Sequence, residues 1–444
     1  MSWLHTYHDR IVSAEEAVRT VKSGDRVYLT GNCSVPQALM KALIQRAPEL
    51  TDVEITHILT LGKTPYADPE FAGHIRVNTM FIGEGVRGAV NEGRADFTPV
   101  RLSEVPKLFS EGIVPLDVAF IHVTPPDEHG FCSYGVEIST NRAAASAAKL
   151  VVAEINPQMP RTLGDAFIHI SRIHRIVPVD YPIFQTTMGT PSELSMRIGK
   201  HVAGLIEDGS TMQMGIGAIP DGVLYYLKDK KDLGIHTEMF SDGVVELVER
   251  GVITNELYEK GVVTGEKKNI DRGKIVAGFL IGSQRLYDFV DNNPVVEMRP
   301  TEYVNDPYVI RQNDRMVAIN SAIEVDLSGQ VCADSIGTRL YSGVGGQLDF
   351  IRGAARSRGG RPIIGLPSSG SGKDGAAFTR IVPTLKHGAG VVTGRYDVHY
   401  VVTEWGVANL YGRTIRQRAK ALIDVAHPDF RAELERKAIE LKYI

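Results

Sequence analysis

The sequence has little of what would mark a disulfide-stabilised or metal-binding protein. Its 444 residues include three cysteines, and no two of them form a CxxC pair. A disulfide framework is therefore excluded, and Cys33, Cys132 and Cys332 fit a reducing compartment. The 13 histidines show neither an HExxH motif nor the Cys/His spacing of a zinc site, so no metal is predicted.

Long apolar runs and a strong charge of one sign are also missing. The most apolar stretch, residues 275–281, is far shorter than the roughly 20 residues that a membrane helix needs. The N-terminus is charged around Asp9, Arg10 and Glu15, unlike a signal peptide. A net charge of −4 gives no electrostatic reason to expect nucleic acid as a partner. We therefore expect a cytoplasmic protein that acts on small molecules, not on nucleic acid or a membrane.

Length and hydrophobic pattern predict an α/β protein with more than one domain. A chain of 444 residues is too long for a single hydrophobic core. Strand-like stretches such as 26–30 and 118–123 alternate with helix-like stretches such as 37–45, which is typical of a sheet covered by helices. The proline-rich, irregular segment 156–191 ends the first half. We predict domains at 1–190 and 191–444.

The residues at this boundary carry the signature of a helix start. Thr190 is the predicted cap, Pro191 takes the first helical position, and Glu193 closes the capping box. An amphipathic helix should follow from here.

Two patterns recur in the same order in the two halves. Gly24, a strand, Gly31 and Pro36 in the first half correspond to Gly209, a strand, Gly215 and Pro220 in the second. Asp127 and Gly130 likewise correspond to Asp326 and Gly329. We interpret the halves as two α/β domains of one ancestral plan.

The glycine turn Gly215-Ile216-Gly217-Ala218-Ile219 follows an apolar run and precedes a short helix. Backbone N–H groups in such a turn can hold a phosphate or a developing oxyanion. Pro220 takes the place of the third glycine of a dinucleotide fingerprint, which disfavours a nicotinamide enzyme. A plain strand–helix turn is the alternative for this motif alone.

Glu238 lies in the segment that follows this turn. Most glutamates are simply solvated. Here the apolar neighbours, Gly234-Ile235 before and Met239-Phe240 after, indicate a strand whose carboxylate points out of a dry sheet end, where desolvation would shape its reactivity. Our hypothesis is that Glu238 is a nucleophile and that the substrate is a thioester.

Two later loops add candidate ligand contacts. Residues 342–347 form a glycine turn, which is either a strand–helix turn needing positive φ or a close backbone approach to a substrate with the Gly346 N–H as an oxyanion donor. Residues 367–375 fail as a P-loop, because Pro367 replaces the first glycine and Asp374 replaces Ser/Thr. Lys373 is either on a flexible loop or a contact to a phosphate or pantetheine group.

These motifs, with others in the same order, resemble those of the family I CoA-transferases, and in particular the acetyl-CoA hydrolase/transferase group. The resemblance covers nearly the whole chain and involves Ser23-Gly-Asp-Arg26, Pro125-Pro-Asp-Glu-His-Gly-Phe131, Glu207-Asp-Gly-Ser210, Gly215 to Pro220, Gly234-Ile-His-Thr-Glu-Met239, Ser241-Asp-Gly243, Asp334-Ser-Ile-Gly337, Gly343-Val-Gly-Gly346, Lys373-Asp-Gly375 and Val402-Thr-Glu-Trp-Gly406.

The resemblance implies a role for each matching residue. Glu238 matches the catalytic glutamate, which becomes a glutamyl-CoA thioester, and the amides near Ile219 and Gly346 match the oxyanion site. The CoA contacts implied are Gly215, Ile216, Gly217, Ala218, Ile219, Ile323, Gly346 and Lys373. The family fold is two related open α/β domains with the active site between them, usually in a homo-oligomer. CoA and acyl-CoA are substrates, and no cofactor is implied.

Three alternatives remain open at this stage. The same glutamate could serve an acyl-CoA hydrolase, with water as the acceptor. A related fold could be a CoA-binding or acyl-binding sensor without turnover. A sugar-phosphate isomerase would need a histidine or lysine base in the turn, which the sequence lacks. The preferred acid is undecided among acetate, butyrate, 4-hydroxybutyrate, propionate and succinate, with Asn32, Cys33 and Glu128 as guesses for the acyl pocket.

Overall fold

The computed structural model describes residues 3–186, 189–215, 217–256, 258–259, 262–263, 269–372 and 374–444. Two compact units divide the chain. Unit 1 comprises Met1–Thr187, Val276–Val304 and Tyr341–Gly343, and unit 2 comprises Met188–Ile275, Asn305–Leu340 and Val344–Ile444. The boundary predicted after residue 190 remains a prediction; the first change of unit lies at Thr187 and Met188.

The strands, in chain order, are β1 (Arg26–Leu29), β2 (Val53–His57), β3 (Ile75–Thr79), β4 (Asp96–Phe97), β5 (Val118–Val123), β6 (Phe131–Ser133), β7 (Leu150–Ile155), β8 (Phe167–His169), β9 (Arg175–Pro178), β10 (Thr211–Met214), β11 (Gly234–Phe240), β12 (Tyr258–Glu259), β13 (Val262–Val263), β14 (Ile275–Leu280), β15 (Val296–Met298), β16 (Met316–Ser321), β17 (Glu324–Asp326), β18 (Val331–Cys332), β19 (Ser335–Ile336), β20 (Arg339–Leu340), β21 (Arg361–Gly365), β22 (Ser369–Ser371), β23 (Ala377–Thr379), β24 (Ile381–Val382), β25 (Tyr400–Thr403) and β26 (Gly406–Asn409).

The α-helices are α1 (Trp3–Thr6), α2 (Ala14–Ala17), α3 (Gln37–Arg46), α4 (Glu84–Asn91), α5 (Val105–Ser110), α6 (Asn141–Ala147), α7 (Glu193–Ala203), α8 (Ala218–Tyr225), α9 (Asp242–Glu249), α10 (Gln284–Val290), α11 (Thr301–Val304), α12 (Pro307–Ile310), α13 (Gln347–Arg356), α14 (Ile415–Asp424) and α15 (Pro428–Glu440). Short 3-10 turns span His8–Arg10, Val18–Thr20, Ala47–Glu49, Pro65–Ala67, Pro69–Phe71, Leu102–Glu104 and Ile170–Arg172. Within the described part of the chain, none of these helices is long and apolar enough to cross a membrane.

Unit 1 is built on a parallel sheet with the strand order β4-β3-β2-β1-β5-β7-β9. The first strand lies in the middle, with Val27 opposite Ile55 on one side and Val118 on the other. All six residues of β5 are buried, as expected for a parallel strand covered on both faces. The predicted α/β class is therefore confirmed for this unit.

In unit 2 the order β11-β10-β16-β21-β25-β26 repeats this plan. The first strand, β10, again lies between two parallel neighbours, with Thr211 opposite Gly234 and Met316. The sheet ends with β26, which pairs antiparallel with β25. A core of buried aliphatic residues includes members of β21, β25, α14 and α15.

The repeated Asp–Gly pair forms the same turn in both units. Asp127 Oδ1 accepts hydrogen bonds from the backbone N–H groups two and four residues further along, and Asp326 Oδ1 does the same. Gly130 and Gly329 close these turns with φ of 85° and 95°. This shared geometry supports the interpretation of two related halves.

The start of α7 corrects one prediction. Ser192, not Thr190, is the cap: its side chain accepts a hydrogen bond of 3.2 Å from the Ser195 N–H, and the helix begins at Glu193. Ser192 has the extended backbone that a cap requires, with φ of −66° and ψ of 160°. The prediction missed the helix start because both residues are good caps.

A buried carboxyl group holds the start of α3 in unit 1. Glu154 Oε1 accepts a hydrogen bond of 2.7 Å from the Leu39 N–H, and its Oε2 accepts one from the Tyr181 hydroxyl. Burial raises the pKa of Glu154 to about 7, although these hydrogen bonds favour the charged form. The helix start is thus tied to β7 by a group that titrates near neutral pH.

This pKa predicts a pH-dependent stability. The folded protein keeps a proton on Glu154 that the unfolded chain releases above pH 4.5, so this contribution to the free energy of unfolding falls as the pH rises towards 7. In Glu154→Gln the contribution is absent. The difference in unfolding free energy between wild type and variant should change by about 2 kcal/mol between pH 5 and pH 8 in denaturant titrations. Parallel pH profiles would contradict this role, and the exposed Glu49→Gln serves as the control.

Candidate active site

The glycine turn after β10 lies in unit 2, as do Glu238, Asn305 and Gly346. Gly217 precedes α8 with φ of 113°, a conformation that a residue with a side chain rarely adopts. The first N–H groups of α8 lack partners within the helix because of helix geometry, which makes this end suited to an anion. Burial raises the pKa of Asp221, in the first turn of α8, to about 6. Ile216 lies outside the described residues.

Two glycines set the position of α8. A Cβ on Gly222 would lie 2.7 Å from the Ser195 carbonyl oxygen, and a Cβ on Gly199 would lie 2.4 Å from the Gly222 carbonyl carbon. Helices α7 and α8 therefore pack with their backbones in close contact. This packing fixes the start of α8, where Ile219 lies with its side chain beside Gly365 at the end of β21.

Glu238 lies on β11, where it is partly buried and the other six residues are buried. Its Oε2 accepts a hydrogen bond of 2.8 Å from the Nδ2 of Asn305, a fully buried residue. Burial raises the pKa of the Glu238 carboxyl, and the Asn305 hydrogen bond offsets part of this shift. The Glu238 carboxylate is thus partly desolvated and accepts a hydrogen bond from the Asn305 amide.

The backbone of Gly346 approaches this carboxylate closely. A Cβ built on Gly346 would lie 1.9 Å from Glu238 Oε2 and 2.2 Å from Asn305 Nδ2. Only glycine fits here without displacing both side chains. Gly346 is buried and caps α13. The structure therefore brings together two residues that the sequence singled out separately, Glu238 and Gly346.

The other predicted contacts in the described part of the chain come from the start of α8 and from the segment after β16. Ile323 is partly buried after β16, where its N–H donates to the Cys332 carbonyl at 2.8 Å and its carbonyl accepts from Arg380 Nη1 at 3.1 Å. Gly215 and Ala218 flank the start of α8, with Gly215 partly buried and Ala218 exposed. Lys373 lies outside the described residues.

The hairpin β22–β23 that flanks Lys373 is anchored at its base. The Ser368 N–H and hydroxyl donate to the two carboxylate oxygens of Glu404, at 2.9 and 2.6 Å. The Ser368 carbonyl accepts from the Arg380 N–H at 2.8 Å, which ties the returning strand to the same point.

Asn305 is the residue that sequence reasoning missed. It lies between α11 and α12 and precedes Asp306, whose side chain caps α12. The local sequence indicates only an Asx-Pro turn, and its contact to Glu238 spans 67 positions. Among the described residues, no cluster of three or more His, Cys, Asp or Glu is placed to hold a metal.

Comparison with known proteins identifies the family. The model of the acetyl-CoA hydrolase/transferase N-terminal domain matches residues 2–188, and that of the C-terminal domain matches residues 282–438. The chain belongs to the acetyl-CoA hydrolase/transferase family. The resemblance noted from the motifs is therefore confirmed.

Relatives with named activities align along nearly the whole chain. It is 49% identical to the 4-hydroxybutyrate coenzyme A transferase of Clostridium kluyveri, over 98% of each chain. It is 37% identical to the butyryl-CoA:acetate CoA-transferase of Anaerostipes caccae, over 99% of this chain and 98% of the relative. Among solved structures, the 4-hydroxybutyrate CoA-transferase of Porphyromonas gingivalis matches with a TM-score of 0.83 and 42% identity, over 99% of this chain and all of that one.

Proposed function

We propose that this protein transfers CoA between a short-chain acyl-CoA and a free carboxylate through covalent intermediates on Glu238. The observation that carries the proposal is the partly buried Glu238 carboxylate, bonded by Asn305 and approached by the backbone of Gly346. The family and the activities named for its relatives support it. Acetate, butyrate and 4-hydroxybutyrate are the proposed acids.

The proposed reaction begins with attack of the Glu238 carboxylate on the carbonyl carbon of acyl-CoA. CoA leaves as the thiolate, and an acyl–glutamyl anhydride forms. The thiolate then attacks the glutamyl carbonyl, which releases the free carboxylate and leaves CoA on Glu238 as a thioester. An acceptor carboxylate reverses these steps, so ping-pong kinetics are expected.

The surroundings of Glu238 suit this chemistry. A carboxylate is a weak nucleophile in water, and burial removes part of the hydration that makes it so. The Asn305 amide bonds one oxygen, Oε2, and so restricts the position of the carboxylate. Each backbone amide that donates to the oxyanion contributes about 3 kcal/mol in well-studied cases, and we assign this role to Ile219 and Gly346.

Binding of CoA is assigned to the turn before α8 together with Ile323, Gly346 and Lys373. The exposed start of α8 offers N–H groups and a favourable helix dipole to the pyrophosphate or the pantetheine amides. Binding energy from this remote part of the substrate would serve to align the thioester with Glu238. A cytoplasmic location and a homo-oligomeric assembly also belong to the proposal, on the grounds of composition and family.

The family description also favours a second candidate, an acyl-CoA hydrolase with the same nucleophile. The two differ only in the acceptor. In a mixture of acetyl-CoA and butyrate, a transferase produces butyryl-CoA at constant total thioester, whereas a hydrolase produces free CoA. We expect butyryl-CoA, with initial rates that give parallel double-reciprocal plots. Release of free CoA at the rate of acetyl-CoA loss would establish hydrolysis instead.

Asn305→Ala is expected to lower kcat about tenfold and to leave KM for acetyl-CoA nearly unchanged. A hydrogen bond to a charged group contributes about 1.5 kcal/mol or more, and water can replace part of it. Steady-state kinetics would measure the effects on kcat and on KM separately. Asn313→Ala is the matched control, because Asn313 is also buried but its side-chain amide donates to the Ile310 carbonyl and not to Glu238. An equal loss of kcat in both variants would argue against a role for Asn305.

A further inference from the structure

An open cavity in unit 1 is lined by residues that the proposed reaction does not use. Its volume is about 470 Å³, within the roughly 300–1,000 Å³ of small-molecule sites. The cavity is lined by α3, by the loop that follows β2 and by the segment after β9. Val35 follows β1 and Leu61 follows β2, so the cavity lies outside the carboxyl ends of these strands, where open α/β sheets bind ligands.

Helix α3 presents a second face to this cavity. The residues of the helix that line the cavity are spaced three and four positions apart, which places their side chains on one side of a helix; they are Gln37, Met40, Lys41, Ile44 and Gln45. The core-facing side of α3 carries Leu39, Ala42 and Leu43, which are buried. The half-buried Ile44 thus turns an apolar side chain to the cavity and not to the core.

The walls of the cavity are held by hydrogen bonds within unit 1. The Phe184 carbonyl accepts a hydrogen bond of 2.6 Å from the hydroxyl of the buried Tyr287. The Phe184 ring lies against Gly62, where a built Cβ would be 3.3 Å from it. In the loop after β2, the hydroxyls of Thr60 and Tyr66 form a hydrogen bond of 3.1 Å. Preformed walls favour binding, because little conformational freedom is lost when a ligand enters.

Most of the cavity surface is apolar. Aliphatic and aromatic side chains reach it from the turn after β1, from α3, from the loop after β2 and from the segment after β9, and include Val35, Met40, Ile44, Leu61 and Phe184. A linear aliphatic chain can contact such a surface along its length. Each methylene that it buries there strengthens binding through the hydrophobic effect.

Two lysines give the cavity its charge. Lys41 and Lys63 are exposed lining residues, and the described residues that line the cavity include no acid and no arginine. Lys41 also attracts Glu15 of α2, whereas Lys63 has no ion-pair partner within the described part of the chain. Apolar walls with lysines at the mouth complement a ligand with an aliphatic part and an anionic head.

The start of α3 provides few free donors for that anion. The Gln37 N–H donates to the Tyr181 hydroxyl at 3.0 Å, and the Leu39 N–H donates to Glu154 Oε1 at 2.7 Å. Phosphates are typically bound by helix N-termini and by the planar fork of arginine. Since the lining offers lysines in their place, the anionic head that fits it best is a carboxylate.

We propose that this cavity binds a medium-chain aliphatic carboxylate, with its chain along Met40, Ile44 and Leu61 and its carboxylate beside Lys63. The cavity is larger than the short acids of the proposed reaction require. All its lining residues belong to unit 1, whereas Glu238 belongs to unit 2. This binding site goes beyond the proposed CoA transfer and does not depend on it.

Calorimetric titration of the full chain with butyrate, hexanoate and octanoate tests the apolar part of the site. Each methylene that enters the cavity should lower Kd roughly threefold to fourfold, so octanoate should bind on the order of 100-fold more tightly than butyrate. 1-Octanol keeps the chain without the charge and should bind about threefold more weakly than octanoate. An affinity that does not depend on chain length, or equal affinities for octanoate and 1-octanol, would overturn the proposal.

Variants of the lining locate the site. Ile44→Glu places a negative charge in the cavity and should weaken octanoate binding at least tenfold. Lys63→Gln should weaken octanoate binding about threefold, as for an exposed ion pair, and leave 1-octanol binding unchanged. Leu108→Glu is the matched control, because Leu108 is also half-buried on a helix of unit 1, α5, but does not line the cavity. It should leave the Kd for octanoate unchanged.

The variants also define the contrary results. Octanoate binding to Ile44→Glu at the wild-type Kd, or an equal loss in Leu108→Glu, would overturn the proposal. If denaturant unfolding shows that Ile44→Glu does not fold, Lys63→Gln decides, since its exposed side chain can change without loss of packing. An unchanged ratio of the Kd values for octanoate and 1-octanol in Lys63→Gln would then overturn the proposal.

Discussion

Glu238→Gln is expected to lose CoA transfer almost completely, with turnover reduced on the order of 10⁴-fold or more, as when other covalent enzymes lose their nucleophile. Glutamine keeps the shape of the side chain, and its carbonyl oxygen can still accept the Asn305 hydrogen bond. It cannot form the anhydride. The loss of activity would therefore reflect the missing nucleophile and not a change in the structure of the site.

Stability provides the control for this prediction. Because burial raises the pKa of Glu238, the folded state disfavours the charged form, and this unfavourable contribution is present above the unfolded pKa. Glu238→Gln should thus unfold at the same or a higher denaturant concentration than the wild type at neutral pH. Glu238→Asp keeps the charge but withdraws it by one methylene, and an intermediate loss of about 10²-fold is expected. Transfer by Glu238→Gln at the parent rate would contradict the assignment.

Gly346→Ala is expected to have the second largest effect and to slow turnover by roughly two orders of magnitude, as when a reacting group is displaced by about 1 Å. The new methyl group would lie 1.9 Å from Glu238 Oε2 and 2.2 Å from Asn305 Nδ2, far inside van der Waals contact. Either the carboxylate moves away from its partner or the start of α13 shifts, with a stability cost of about 1–3 kcal/mol. Steady-state kinetics and denaturant unfolding would measure both effects.

Gly353→Ala in the same helix is the matched control for this substitution. Its methyl group would lie 2.4 Å from Ile310 Cγ2, so it strains α13 to a comparable degree without touching Glu238. If Gly353→Ala lowers kcat as much as Gly346→Ala, the loss reflects general strain and the close approach to the carboxylate has no special role.

The class of the fold was predictable because parallel strands buried on both faces form short apolar runs. The strand order was not, since the position of β10 between β11 and β16 depends on contacts between distant segments. Nor does the sequence indicate that residues 276–304 group with unit 1. Local sequence patterns do not indicate which unit a later segment of the chain packs into.

The candidate site was predictable where a motif marked it. Glu238 and Gly346 each lie in a distinctive stretch of glycines and apolar residues, and the family resemblance connected them. Asn305 could not be found this way, because its role depends on one side-chain contact and an Asx-Pro turn explains it locally. The proximity of Glu238, Gly346 and Asn305 is a result of the fold.

The buried carboxyls of unit 1 illustrate the same limit. Glu154 lies inside an apolar strand, and its partners Leu39 and Tyr181 come from segments 115 and 27 residues away. Glu137 meets Asn32 across 105 residues. A buried glutamate in an apolar run destabilises the fold unless other residues donate hydrogen bonds to its carboxyl group. The sequence does not show which residues these are.

Chemical trapping of the covalent intermediate tests the central claim most directly. The protein is incubated with acetyl-CoA without an acceptor, treated with borohydride, digested, and analysed by mass spectrometry. We predict that the peptide containing Glu238 loses one oxygen and gains two hydrogens, as a reduced thioester requires, and that activity is lost in proportion. Full CoA exchange with no modification at Glu238, or modification at another residue, would contradict the account.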